Sequence, residues 1–161
     1  MGTKIRRKIK NYAGRNFNKK RLPDKQSTLS RSSQMSRIRS KNTKFEEEFI
    51  SKLSTLYDGR FITHVGAIKG KPDIVFEKEK VCVFLDSDFW HGWQYPRWKH
   101  LMKDDFWRNK IENNRKRDLK TTRFLKKNGW IVLRIWEHSI IKGSNLQIQK
   151  VTTLISSRRT K

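Results

Sequence analysis

The chain has 161 residues, 34% of them hydrophobic, and a formal net charge of +24. That length buries one core with an appendage, no apolar stretch approaches the roughly 20 residues that span a bilayer, and the single cysteine, Cys82, excludes a disulfide framework or a Cys-rich zinc site. A soluble, intracellular and cytoplasmic protein is expected, with a polyanion as partner, and nucleic acid comes before an anionic membrane because no basic helix has a clean apolar face.

Residues 1–38 are dense in Lys and Arg against a lone Asp24, and "STLSRSSQMS" reads as a serine-rich linker. Such an arm buries too little surface to order itself and is expected to stay disordered until it meets DNA. A solvated tail without a role is the alternative. From residue 39 to 161 the pattern is that of a folded domain. "NTKFEEEFISKLSTL" predicts a helix with Phe45, Phe49, Ile50 and Leu53 on one face, Asn42 or Thr43 as N-cap, and Glu46, Glu47 and Glu48 in the first turn, where the dipole favours acids. "RFITHVG" predicts a short strand, and "KGKPDIVFEKEKVCVFLD" predicts two strands joined by the turn "EKEK".

A long helix follows over "DDFWRNKIENNRKRDLKTTRFLKKNG", capped at Asp104 or Asp105 and closed by Gly129. "WIVLRIW" is a further buried strand, and "NLQIQKVTTLIS" a last short helix. Helix, three strands, helix, strand, helix is the order of a compact α/β domain with a small mixed sheet between helices.

Candidate chemistry gathers around the strand ends. Pro72 biases Lys71 to an extended conformation, and Asp73 then opens the apolar strand "IVF". A carboxylate there needs a metal, a basic partner or a capping role. The next strand delivers Asp86 and Asp88 two residues apart, towards the same side if the strand continues. Carboxylates from adjacent strands suit Mg²⁺, which shares phosphate oxygens as ligands, although either acid also suits a turn cap. His91, three residues on, is a candidate general base for water attacking phosphorus or an ordinary surface histidine.

In the long helix Trp107, Ile111, Asn114, Asp118, Thr122 and Leu125 form the stripe facing the sheet. Asn114 and Asp118 on that stripe need partners, either the imidazole or each other within the helix. Phe89, Trp90 and Trp107 are either core residues or wedges that unstack weakly paired bases.

With these residues assembled, the chain resembles the very-short-patch-repair (Vsr) DNA mismatch endonucleases from about Met35 to His138. The resemblance is carried by "MSRIRSKNTKFEEE", "GKPDIVF", the strand running into "DFWHG", "FWRNKIENNRKRD" and "NGWIVLRIWEH", in that order. It implies a restriction-endonuclease-like α/β core, Mg²⁺-dependent phosphodiester hydrolysis, and a nick beside a T:G mismatch in double-stranded DNA by a monomer, with downstream repair proteins as further partners.

By position, the resemblance makes Glu46 and Asp73 active-site acids, His91 the general base, Asn114 and Asp118 its supporting residues, and Phe89, Trp90 and Trp107 the aromatics at the mismatch. The metal set is expected to be Asp73, Glu46 and Asp86, with Arg37, Arg39, Lys69 and Lys71 on DNA. The chain departs from the family at "DSDFWH", where members commonly have "HGCFWH", and His138 stands in place of a distal Cys. No structural zinc is therefore expected, with Trp93, Trp98 and Trp136 filling that region. A sequence-specific homing or restriction-associated endonuclease on the same core is the second reading, with assisted bending of paired DNA. A non-enzymatic basic DNA-binding protein is the third, but it gives no reason to collect carboxylates where they repel phosphate.

Overall fold

The structure is a computed structural model that describes residues 43–159, so the basic arm with Arg37 and Arg39 lies outside the described residues. In chain order the elements are α1 (Lys44–Leu56), β1 (Ile62–Thr63), β2 (Ile74–Phe76), β3 (Val81–Asp86), a short α2 (Tyr95–Trp98) running into a 3-10 turn, α3 (Asp105–Lys127), β4 (Ile131–Trp136) and α4 (Glu137–Arg159). The sheet order is β1-β2-β3-β4. The first two pairings are antiparallel, and β3 with β4 is parallel. A parallel pair needs a crossover, which α3 supplies. The result is a mixed sheet flanked by helices, the α/β architecture of a restriction-endonuclease-like core. Among the described residues no helix is long and apolar enough to cross a membrane.

Local chemistry sets the helix starts. Thr43 is the N-cap of α1, and its N–H donates to Glu46 Oε2 at 3.1 Å, the backward half of a capping box. Asp104 caps α3 by accepting the Phe106 N–H at 2.9 Å. That helix stops where Gly129 takes φ +80°.

Side-chain alternation then divides the core. Val81, Val83 and Leu85 of β3 and Ile135 of β4 join Phe49 and Leu53 of α1 and Ile140, Ile148, Val151 and Ile155 of α4. Cys82 and Phe84 turn to the opposite face, against Leu125 of α3. The same parity sends Asp86 and Arg134 towards α3. Burial pushes the Cys82 thiol up to about 12, which makes it an inert packing group. Phe49 is fully buried in the larger core. Phe49→Ala is expected to destabilise the fold by about 3–5 kcal/mol, measured as a lower denaturant midpoint at constant m value. A change too small to measure would contradict its place at the centre of that core.

Two elements differ from expectation. β1 holds only two residues, because the segment around it is exposed and has little to pack against. The final helix runs from Glu137 and is broken at Gly143 (φ −174°, ψ 80°). Ile140 is buried ahead of that break, so burial extends helical structure further back than the glycine suggests. On α3, Thr121 rather than Thr122 is buried. A Cβ on Gly70 would come within 2.3 Å of its methyl, so the Gly70 loop covers it.

Candidate active site

Immediately after β3, the loop carrying the aromatics lies flat on α3. Gly92 has φ +68°, and a Cβ there would meet Arg115 Cδ at 2.9 Å and Ile111 Cγ2 at 3.0 Å, so only glycine permits the approach. Two α3 residues then hold the loop by its backbone. Arg115 donates to the Gly92 carbonyl at 2.6 Å, and Asn114 Nδ2 donates to the Trp90 carbonyl at 3.0 Å. Asn114 thus positions the turn that presents His91 and does not touch the imidazole.

His91 Nδ1 lies 2.6 Å from Asp118 Oδ2. An ionised carboxylate can only accept, so the proton belongs on Nδ1 and Nε2 is left with its lone pair. Burial alone would raise the Asp118 pKa. The hydrogen bond from His91 and the charges of His91, Arg134 and Arg117 outweigh it and hold this carboxyl below its ordinary range.

Asp86, expected as a metal ligand, is engaged otherwise. It is 1% exposed, and Arg134 grips both its oxygens, Nε to Oδ2 at 2.5 Å and Nη2 to Oδ1 at 2.6 Å. A bidentate guanidinium of this kind satisfies a buried carboxylate, so Asp86 is here the partner of Arg134. Arg134 is the residue that sequence reasoning missed. Its signal was a single charge inside the apolar strand "WIVLRIW", where strand parity demands a buried partner.

Asp73 is the acid that keeps an unfavourable charge. Its Oδ2 accepts the Leu85 N–H at 2.7 Å, yet burial, reinforced by the nearby charges of Glu46 and Asp86, pushes its pKa up to about 6. Glu46 is itself buried. Together with His64 it lines a groove between α1 and β1. Among the described residues no three His, Cys, Asp or Glu side chains converge as a metal cage. Mg²⁺ does not need one, since one or two carboxylates, waters and a substrate phosphate are its usual ligands.

Phe89, Trp90 and Trp107 are half-buried members of a continuous aromatic ridge. Ring centroids lie 4.9 Å apart for Phe89 and Trp90, 5.6 Å for Trp90 and Trp107, and 6.0 Å for the stacked pair Phe89 and Trp98. Behind the ridge Asp88 Oδ1 meets His138 Nδ1 at 2.7 Å. Trp93 packs on His138 at 4.6 Å and on Trp136 at 5.0 Å, and Trp98 Nε1 donates to the Trp93 carbonyl at 2.7 Å. Lys69 and Lys71 are both exposed. Lys69 Nζ sits 4.1 Å above the Phe124 ring.

Residues 23–97 match the family described as DNA mismatch endonuclease Vsr. The chain is 37% identical over 123 residues to the Type II nicking enzyme V.NmeDIP of Neisseria meningitidis serogroup C, covering 75% of this chain and 82% of that protein. The chain belongs to the Vsr endonuclease family. It is 38% identical over 89 residues to the Type II nicking enzyme V.HpaIIP of Haemophilus parainfluenzae, covering 52% of this chain and 63% of that protein. Against the DNA mismatch endonuclease Vsr of Escherichia coli K12 it is 28% identical over 135 residues, covering 81% and 84%. This Vsr-family protein is thus a DNA endonuclease, with DNA as its substrate. A net charge of +24 is compatible with that substrate, because basic groups that neutralise phosphates release counterions.

Proposed function

We propose that this Vsr-family enzyme is a Mg²⁺-dependent endonuclease that nicks one strand of duplex DNA, as a monomer, at or beside a T:G mismatch. The observation that carries the reading is the pairing of His91 with Asp118 at the end of β3, the strand whose Leu85 N–H also holds Asp73. A base and an acid are thereby tied to one strand end, beside a half-buried aromatic ridge. The words "nicking enzyme" and "DNA mismatch endonuclease" in the names of its relatives support single-strand cleavage and a mismatch.

Asp73 is the residue that would hold the metal, with Glu46 acting through water, because a cation offsets the burial, and the repulsion from neighbouring acids, that raise the Asp73 pKa. Bound there, Mg²⁺ supplies charge stabilisation to the scissile phosphate. His91 Nε2 takes the proton of the attacking water, and Asp118 accepts the Nδ1–H and stabilises the imidazolium that forms. Lys69 and Lys71 neutralise neighbouring phosphates. Phe89, Trp90 and Trp107 unstack the mismatched pair, which costs least where pairing is already weak. No structural zinc enters this reading, in which Asp88 pairs with His138 and Trp93 packs on the His138 ring.

The test is strand cleavage on duplexes that differ only in a T:G pair, another mismatch or perfect pairing, with Mg²⁺ or EDTA. Metal-dependent nicking confined to T:G duplexes is the expected result. Cutting of fully paired DNA at a rare site would replace the mismatch reading with the sequence-specific one, and cutting in EDTA would remove the metal.

A further inference from the structure

Arg134 projects from the middle of β4 into the space between the sheet and α3, and its side chain is only 20% exposed. An unpaired guanidinium at such depth costs several kcal/mol, so the fold keeps it for its contacts. Besides its two bonds to Asp86, its Nη2 lies 3.4 Å from Asp118 Oδ2 and 3.4 Å from His91 Nδ1. Its guanidinium carbon stands 4.9 Å from the centroid of the Phe84 ring, the residue directly across the ladder from it. Charges from Asp86, Asp118 and Asp73 all act on it.

These contacts settle a competition. Two carboxylates lie beside the one N–H of the His91 ring: Asp118 at 2.6 Å and Asp86 at 3.4 Å. The charged groups facing the imidazole are Asp86 from β3, Asp118 with its neighbour Arg117 from α3, and Arg134 from β4. Left alone, Asp86 is free to draw the ring off Asp118, because both acids accept and the ring has one proton on that side. The planar fork of an arginine occupies both oxygens of one carboxylate at once, which the point charge of a lysine does not do.

We propose that Arg134 is a positioning residue of the endonuclease reaction: by binding Asp86 through both oxygens it weakens Asp86 as a rival acceptor and leaves Asp118 the favoured acceptor for His91 Nδ1–H. The ring then keeps one orientation, with Nε2 turned away from the acids. The inference deepens the assignment of His91 as the base and rests on it.

The experiment uses the full chain and compares Arg134→Gln, Arg134→Lys, Asp86→Asn and the double variant Asp86→Asn/Arg134→Gln. Folding is checked by circular dichroism, and turnover at saturating DNA is measured separately from DNA affinity. Arg134→Gln is expected to lower kcat by roughly 100-fold, the scale for misplacing a group by about 1 Å, with affinity little changed. Its acid limb should move to higher pH, because two uncompensated carboxylates then face the imidazole. Asp86→Asn releases Arg134 towards Asp118 and should also lose activity. The double variant removes the competitor's charge and the released cation together. It should therefore recover at least about tenfold over Arg134→Gln and return the acid limb towards that of the wild type.

A merely structural pair would change stability and leave the pH profile in place. Unshifted profiles with normal kcat in Arg134→Gln would overturn the proposal. If Arg134→Gln does not fold, the double variant and Arg134→Lys decide. A double variant more active than Arg134→Lys supports competition by Asp86, and one with no activity overturns it. His91→Ala separates the two readings. Retained cleavage there overturns the base assignment and this inference with it, whereas a dead His91→Ala beside an unaffected Arg134→Gln overturns this inference alone.

Discussion

Asp73→Asn is expected to abolish cleavage while making the metal-free protein more stable at neutral pH. Burial and the charges of Glu46 and Asp86 lift this carboxyl from an ordinary 3.8 to about 6. The folded state therefore holds a proton between those values that the unfolded chain has released. The sign follows from that difference. The penalty is fully present above about pH 6, falls as pH drops through that value, and is gone below the unfolded pKa. Each pH unit between the two pKa values is worth about 1.4 kcal/mol, so the charge costs roughly 2–3 kcal/mol at neutral pH after allowing for solvent at its open side. Asparagine removes the charge and retains an oxygen for the Leu85 N–H. Thermal melts in EDTA should show the variant more stable than the wild type at about pH 8, with the gap closing towards about pH 4.5. An asparagine variant that melts lower than wild type in EDTA at about pH 8 would remove Asp73 as a strained acid. The same substitution should eliminate any stabilisation of the protein by added Mg²⁺.

His91→Ala carries the other large effect. A general base contributes about 100- to 10,000-fold, and a cleavage rate reduced by that factor is expected in single-turnover assays. DNA affinity and its salt dependence should stay near those of the wild type, since His91 adds no fixed charge to the phosphate contacts. Binding lost in parallel with cutting would mean that the imidazole holds DNA or the loop and does not move a proton. Asp118→Asn should lower the rate while DNA affinity holds, because an amide can present its N–H to Nδ1 and reverse the ring's proton arrangement.

Much of this protein was legible along the chain because the signals were local. Hydrophobic spacing and a cap at Asp104 or Asp105, which the structure places at Asp104, marked α1 and α3. Alternation and the "EKEK" turn marked β2 and β3, and blocks from "GKPDIVF" to "NGWIVLRIWEH" pointed to the Vsr family, to which the chain belongs. The approach of His91 to Asp118 was anticipated from the polar residues on the sheet-facing stripe of α3, since buried polar groups need partners. Asp86 and Arg134 were not legible as a pair. They lie 48 residues apart and meet only because β3 and β4 are parallel neighbours in one register. The same strand parity turns both side chains to the α3 face.

The sequence by itself therefore determined the class of the elements, the polyanionic partner and the residue types available for hydrolysis. Each of these follows from composition or from periodicity over a few turns. Tertiary structure decided which acid does what. Asp73 keeps a charge that burial resists, Asp86 is ion-paired with Arg134, Asp118 accepts the hydrogen bond of the imidazole Nδ1–H, and Asp88 pairs with His138. Four aspartates of the same chemistry are separated by what the sheet and helix place beside each one, because a carboxylate's role depends on its neighbouring charges, donors and solvent.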